Sequence, residues 1–140
     1  MVNRVSIEAR SKNMKRIRSK DTGPEIQVRR LLHGLGYRYR LHVRSLPGCP
    51  DLVFKSRMKI VFVHGCFWHQ HRGCHDAHMP KSHLAYWLPK LQQNVERDIQ
   101  NERLLKSKGW NILTVWACEM KDEQEAAVRL RAFLDEQSEL

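Results

Sequence analysis

The sequence predicts an α/β fold in which helices cover a central mixed β-sheet. Three observations carry that reading. The hydrophobic periodicity runs in the order helix, three strands, helix, strand, helix, the pattern of a layered α/β domain. One strand, Ile60-Val61-Phe62-Val63, is apolar at every position, as expected of a strand buried on both faces. A length of 140 residues with 41% hydrophobic content suffices for one core and not for two.

Residues 1–20 read as a basic N-terminal arm and residues 21–140 as a single domain. The run Asp21-Thr22-Gly23-Pro24-Glu25 is a helix start. Asp21 or Thr22 can cap it, Pro24 suits the first turn, and Glu25 complements the positive helix end. Ile26, Leu31, Leu32 and Leu35 supply the apolar side, and Gly34 and Gly36 stop the helix. Tyr37 to Val43 alternates apolar and basic residues, a strand with one wet face. After a loop at 45–50, Asp51 to Phe54 and Lys59 to Val63 flank a short polar turn and form a β-hairpin. Residues 64–83 are irregular and rich in His and Cys. Pro89 is expected to open a long helix to Lys108, after a shorter turn at 84–88, with Gly109 as its stop. Trp110 to Trp116 reads as another buried strand, and Asp122 to Phe133 as a closing amphipathic helix.

The formal net charge is +10, and it is lopsided. Residues 1–44 hold twelve Lys and Arg against three acids, Glu8, Asp21 and Glu25. A cluster of this kind suits a polyanion, and nucleic acid fits better than a membrane surface because the arm has few apolar anchors. No apolar run reaches the length of a membrane span, and no charged-then-apolar leader opens the chain. A soluble, cytoplasmic protein is expected.

In such a compartment four cysteines point to metal rather than to disulfides. Residues 64–75 concentrate two thiols, Cys66 and Cys74, and four imidazoles, and Cys118 follows the last strand. Three thiolates and one imidazole would make a closed tetrahedral Zn2+ site. Spacing leaves the imidazole open among His69, His71, His75 and His78, while Cys49 reads as a free thiol.

Asp51, directly after Pro50, can ligate Mg2+ through one carboxylate, although a turn aspartate after a proline also arises for purely structural reasons. His64 and His69 lie just past the partner strand, within reach of the same place, and Glu25 could join through a water. A carboxylate-held cation beside a general base is the usual equipment for phosphodiester hydrolysis. Phe67 and Trp68 interrupt the polar loop, and Tyr86-Trp87 follows in the next segment. Such rings either insert between base pairs or pack onto the metal loop and core.

Longer stretches carry a resemblance. They are Arg10-Ser11-Lys12-Asn13-Met14, Asp21-Thr22 with Glu25, and Ser45-Leu46-Pro47-Gly48 before Pro50-Asp51. Then come His64-Gly65-Cys66-Phe67-Trp68-His69, Asn94-Val95-Glu96-Arg97-Asp98, Gly109-Trp110, and Val115-Trp116 with Cys118. Over residues 10–119 the chain resembles the very short patch repair endonucleases, most specifically in the His64–His69 and Asn94–Asp98 runs.

The resemblance implies a restriction-endonuclease-like fold with a structural zinc site. It implies a monomeric, Mg2+-dependent enzyme that nicks double-stranded DNA 5′ of the T in a T·G mismatch, alongside mismatch-repair proteins. By it, Asp51 and the backbone carbonyl of Val63 hold Mg2+, His69 is the general base, His64 assists, and Glu25 stands near the metal. Cys66, His71, Cys74 and Cys118 take Zn2+. Phe67, Trp68 and Trp87 form a wedge, Met14 approaches from the other groove, and Lys90 and Asn94 read the mismatched pair. Restriction-type nucleases usually carry an acid and a lysine on the second hairpin strand. Phe62 and His64 stand there instead, so histidine chemistry replaces lysine. Val63 stands where a member of that family has threonine, a change that a carbonyl ligand tolerates, and the zinc loop is one residue longer around Gly73.

Two other readings share part of these features. A zinc-stabilised DNA-binding module without catalysis would not need Asp51 and His69 together. A restriction-type nuclease acting on matched DNA would not need the aromatic wedge.

Overall fold

The computed structural model describes residues 22–136, so the basic arm and Met14 lie outside the described residues. The elements run α1 (Gly23–Gly34), β1 (Arg40–Leu41), β2 (Leu52–Phe54), β3 (Lys59–His64), α2 (Leu84–Ser107), β4 (Asn111–Trp116) and α3 (Glu123–Asp135). Four strands form one sheet in the order β1-β2-β3-β4. The β1–β2 and β2–β3 pairs are antiparallel and β3–β4 is parallel, so the sheet is mixed and β3 is interior, as its apolar run requires.

Strand alternation sends side chains to two cores. Leu52, Phe54, Val61 and Val115 pack with Val28 and Leu32 of α1 and Leu130 and Leu134 of α3. Val53, Ile60 and Phe62 pack on the opposite face with Leu105 of α2. Helices therefore flank the sheet on both sides. No helix among the described residues is long and apolar enough to cross a membrane.

The helix signals hold at both capped ends. The Thr22 hydroxyl accepts the Glu25 N–H at 3.4 Å, and Asp122 accepts the Glu125 N–H at 3.2 Å. Three expectations are corrected. The strand expected over Tyr37–Val43 shrinks to two residues, because His42 adopts φ +47 and breaks the extended run. The long helix begins at Leu84, with Pro89 inside it. Pro89 is the sixth helical residue, so its missing N–H forgoes the bond to the Ala85 carbonyl, and the ring of Trp87, packed against Phe67 and Trp68, holds residues 84–88 in the helix against that loss. β4 is an edge strand and is mostly half-buried, with only Val115 fully inside.

Lys59 opens β3 and is 3% exposed. Its ammonium donates to the carbonyls of Phe133, Leu134 and Glu136, where the last turn of α3 has no N–H partners left. Lys59→Met keeps much of the packing and removes the ammonium from the Phe133 and Glu136 carbonyls, while the Leu134 carbonyl keeps its bond from Arg57 Nη1 at 2.9 Å. The expected loss is about 2 kcal/mol, read as a lower urea midpoint at unchanged slope.

Candidate active site and metal centre

Asp51 ends the loop before β2, and its Oδ2 accepts the Val63 N–H at 2.7 Å. The β2–β3 register, extended by two residues, sets Val63 opposite Pro50. The N–H and C=O of one strand residue point to the same neighbour, so the Val63 carbonyl also faces that side. Proline has no N–H, and the ladder bond to this carbonyl cannot form. The Val63 oxygen is thus a backbone acceptor without a ladder donor, on the side of the strand that Asp51 occupies.

Glu25, in the first turn of α1, is 3% exposed instead of facing solvent. Its Oε2 accepts from His42 Nε2 at 2.8 Å and from Arg29 Nη1 at 3.4 Å. Ligand atoms of Glu25, His42 and Asp51 all lie within 4.8 Å of one another. Burial pushes the Asp51 carboxyl up to about 7; the Val63 N–H works against this, and neighbouring Glu25 adds to it. Two carboxylates so close repel when both are ionised, and a divalent cation relieves that repulsion. Hard oxygen donors of this kind fit Mg2+.

An open cleft of about 340 Å³ brings Asp51, Val63, His64, His69 and Asp98 to one surface. His69 Nδ1–H donates to Asp98 Oδ2 at 2.5 Å, which leaves the lone pair on Nε2. The His64 ring stacks on His69 with centroids 3.8 Å apart and planes within 7°. Burial, and then neighbouring His69, lower the His64 pKa against the opposing charge of Asp98, to about 3 in all. His64 is therefore neutral near pH 7 and lies flat against the His69 ring.

Cys66, His71, Cys74 and Cys118 place their donor atoms within 4.8 Å of one another, and Cys118 Sγ lies 3.4 Å from His71 Nδ1. The local backbone explains the grouping. The parallel β3–β4 register ends at His64 and Trp116; just past these paired ends Cys66 opens a turn and Cys118 lies in a 3-10 turn (Ala117–Lys121), so both thiols leave the sheet at the same end. The His71 N–H donates to the Cys66 carbonyl at 2.9 Å, and the Cys74 N–H to the His71 carbonyl at 3.2 Å, folding the loop back on itself. His71 stacks on Trp116 at 4.2 Å. Burial pushes the Cys66 thiol up to about 12 and raises Cys118 as well. Clustered thiols resist ionisation unless a dication compensates them, and this soft donor set fits Zn2+. The imidazole left open by spacing is His71: His69 is held by Asp98, while His75 and His78 face each other on the exposed turn. Cys49 stands apart from this cluster and lines the cleft.

Phe67, Trp68 and Trp87 form one ring cluster, with centroids 5.3–5.9 Å apart and edge-to-face contacts. Phe67 and Trp68 are half-buried, and Trp87 is buried behind them. Asn94 Nδ2 donates to the Trp68 carbonyl at 3.2 Å and fastens this loop to α2. Lys90 Nζ lies 5.1 Å from the Tyr86 ring centre. Trp87, Lys90, Asn94 and Asp98 follow one another at helical spacing, so one stripe of α2 serves both the aromatic cluster and the His69 side of the cleft.

Two residues at the site carry no role in the sequence reading. Asp98 lies on the stripe that also buries Leu91 and Leu105, and an acid among core positions signals a partner. His42 sits on the supposedly wet face of its strand, where only the fold reveals Glu25 opposite.

The family described as DNA mismatch endonuclease Vsr matches residues 4–75. The type II nicking enzyme V.XorIIP of Xanthomonas oryzae pv. oryzae is 50% identical over 135 residues, covering 96% of this chain and 98% of its own. The type II nicking enzyme V.NmeAIP of Neisseria meningitidis is 42% identical over 127 residues, 91% of this chain and 90% of its own. The DNA mismatch endonuclease Vsr of Escherichia coli is 40% identical over 116 residues, 83% of this chain and 74% of its own. With a family match across half the sequence and a relative half-identical over nearly all of both chains, this chain belongs to the Vsr family of DNA mismatch endonucleases.

Proposed function

We propose that the chain is a DNA endonuclease of restriction-like fold that nicks duplex DNA 5′ of the T in a T·G mismatch. The observation that carries this is the convergence of Asp51 and the Asp98-held His69 on one cleft. Asp51 and the Val63 carbonyl hold Mg2+, with Glu25 beside them. When bound, Mg2+ supplies positive charge that offsets the charge building on the phosphate. His69 Nε2 accepts the proton of the attacking water as a new P–O bond forms and the scissile P–O bond breaks. Asp98 fixes the ring's tautomer and stabilises the imidazolium, and His64 keeps the ring plane. Cys66, His71, Cys74 and Cys118 hold a structural Zn2+ that ties the 64–83 loop to the sheet.

Recognition is assigned to the aromatic cluster. Phe67 and Trp68, backed by Trp87, enter the stack, where a wobble pair costs less to unstack than a matched one. Lys90 and Asn94 lie along the same helix face to test the base edges, and Met14 and the basic arm add contacts to the duplex.

The test is cleavage of T·G and T·A duplexes, each strand labelled separately, with Mg2+ or EDTA. A single nick immediately 5′ of the mismatched T is expected, only with Mg2+. Trp68→Ala should reduce the T·G over T·A preference about tenfold or more, since unstacking differences amount to about 1–3 kcal/mol. Equal rates on the two duplexes, or cutting of both strands, would leave a nuclease for matched DNA.

A further inference from the structure

His42 has no part in the chemistry described so far, yet its placement is unusual. It follows β1 with φ +47, a left-handed backbone that few non-glycine residues adopt. The turn takes the ring out of the alternation of Tyr39, Leu41 and Val43 and toward α1. His42 Nε2–H donates to Glu25 Oε2 at 2.8 Å, with the two side chains 12% and 4% exposed. Its own backbone N–H donates to the Asp51 carbonyl at 3.1 Å. One residue is therefore tied through its backbone to Asp51 and through its ring to Glu25. Arg29 also reaches Glu25, but at 3.4 Å and from a more exposed side chain.

We propose that His42 is a positioning residue of the cation site. It clamps Glu25 beside Asp51, so that two carboxylates rather than one meet the divalent ion. A buried glutamate with a like-charged neighbour otherwise turns away. A fixed N–H on one oxygen holds the carboxylate in place, and partners of this kind commonly tune metal affinity by 10–100-fold. The inference rests on the proposed reading of Asp51 as a cation ligand.

The side-chain amides of glutamine and asparagine separate the ring's effect from the backbone's. The amide of glutamine reaches about as far as His Nε2; that of asparagine stops short of Glu25. Asparagine tolerates a left-handed backbone well, so His42→Asn should keep the turn and lose only the clamp. Mn2+ binding to the full-length protein, followed by the electron-spin signal of the free ion, reads the effect without cleavage. His42→Asn is expected to weaken Mn2+ binding about 10–100-fold. In cleavage it should lower kcat at limiting Mg2+ and leave KM for T·G duplex within about twofold, because the clamp does not touch DNA. His42→Gln is expected to recover Mn2+ affinity to within a few-fold of wild type. Wild-type Mn2+ affinity in His42→Asn overturns the proposal, as does equal impairment of the two variants. A lowered melting temperature with unchanged affinity also overturns it, since His42 would then be structural. If the wild-type protein itself binds no Mn2+ and cleaves in EDTA, the reading of Asp51 falls, and this inference falls with it.

Discussion

Asp51→Asn is expected to slow strand cleavage by a factor of about 100 or more, the usual cost of removing a key charged group, while the T·G duplex stays bound. The substitution preserves shape and can keep an oxygen toward the Val63 N–H. In the proposed mechanism it removes the negative charge that would bring Mg2+ to the Val63 carbonyl. The aromatic cluster does not contact Asp51, so gel-shift affinity without metal should change little. Stability should not suffer either. Burial already disfavours the ionised carboxyl, and Glu25 repels it, so a neutral amide relieves both penalties. Single-turnover cleavage, gel shifts and a thermal melt on the same preparation decide it. A wild-type rate would show that the cleft around Asp51 is not where the strand is cut.

Cys118→Ser should lose the proposed zinc and with it the order of the 64–83 loop. That ligand is the only one of the four from beyond β3 and its loop, so it alone joins the loop to the end of β4. A structural zinc contributes on the order of 10 kcal/mol in small domains, comparable with the whole stability of a chain this size. Metal analysis should find about one equivalent in wild type and in Cys49→Ser, and none in Cys118→Ser. Limited proteolysis should cut the serine variant within 64–83 first. Retention of zinc by Cys118→Ser, or its loss from Cys49→Ser, would overturn the ligand set.

What could be read from the sequence followed locality. Thr22, Asp122 and the apolar run of β3 act through neighbours along the chain, and each behaves as its local pattern dictates. The resemblance named the imidazole of the thiol cluster, and the fold brings that same His71 to the three cysteines. Glu25 was legible as a helix-start acid, but its burial was not, because the partner that receives it lies 17 residues away. The Asp98–His69 pair spans 29 residues, and neither local pattern announces the other. The start of α2 was misread for the same reason: proline punctuates local sequence, while Trp87 answers to rings on a distant loop. The fold class needed only periodicity, whereas the hydrogen-bonded pairs of the site needed the fold.

The 3-10 turn that carries Cys118 just past β4 has a consequence for how the chain tolerates changes in length. One residue separates each strand end from its thiol, and in the 3-10 turn successive side chains point about 120° apart. Insertion or deletion of one residue between Trp116 and Cys118 would turn that sulfur away from the other three donors. The stretch from Arg72 to His83 carries no such rotational requirement apart from Cys74, and its exposed turn can absorb an extra residue. A redesigned loop can therefore vary in size around His75 to His83, provided that the one-residue spacers after both strands keep their length.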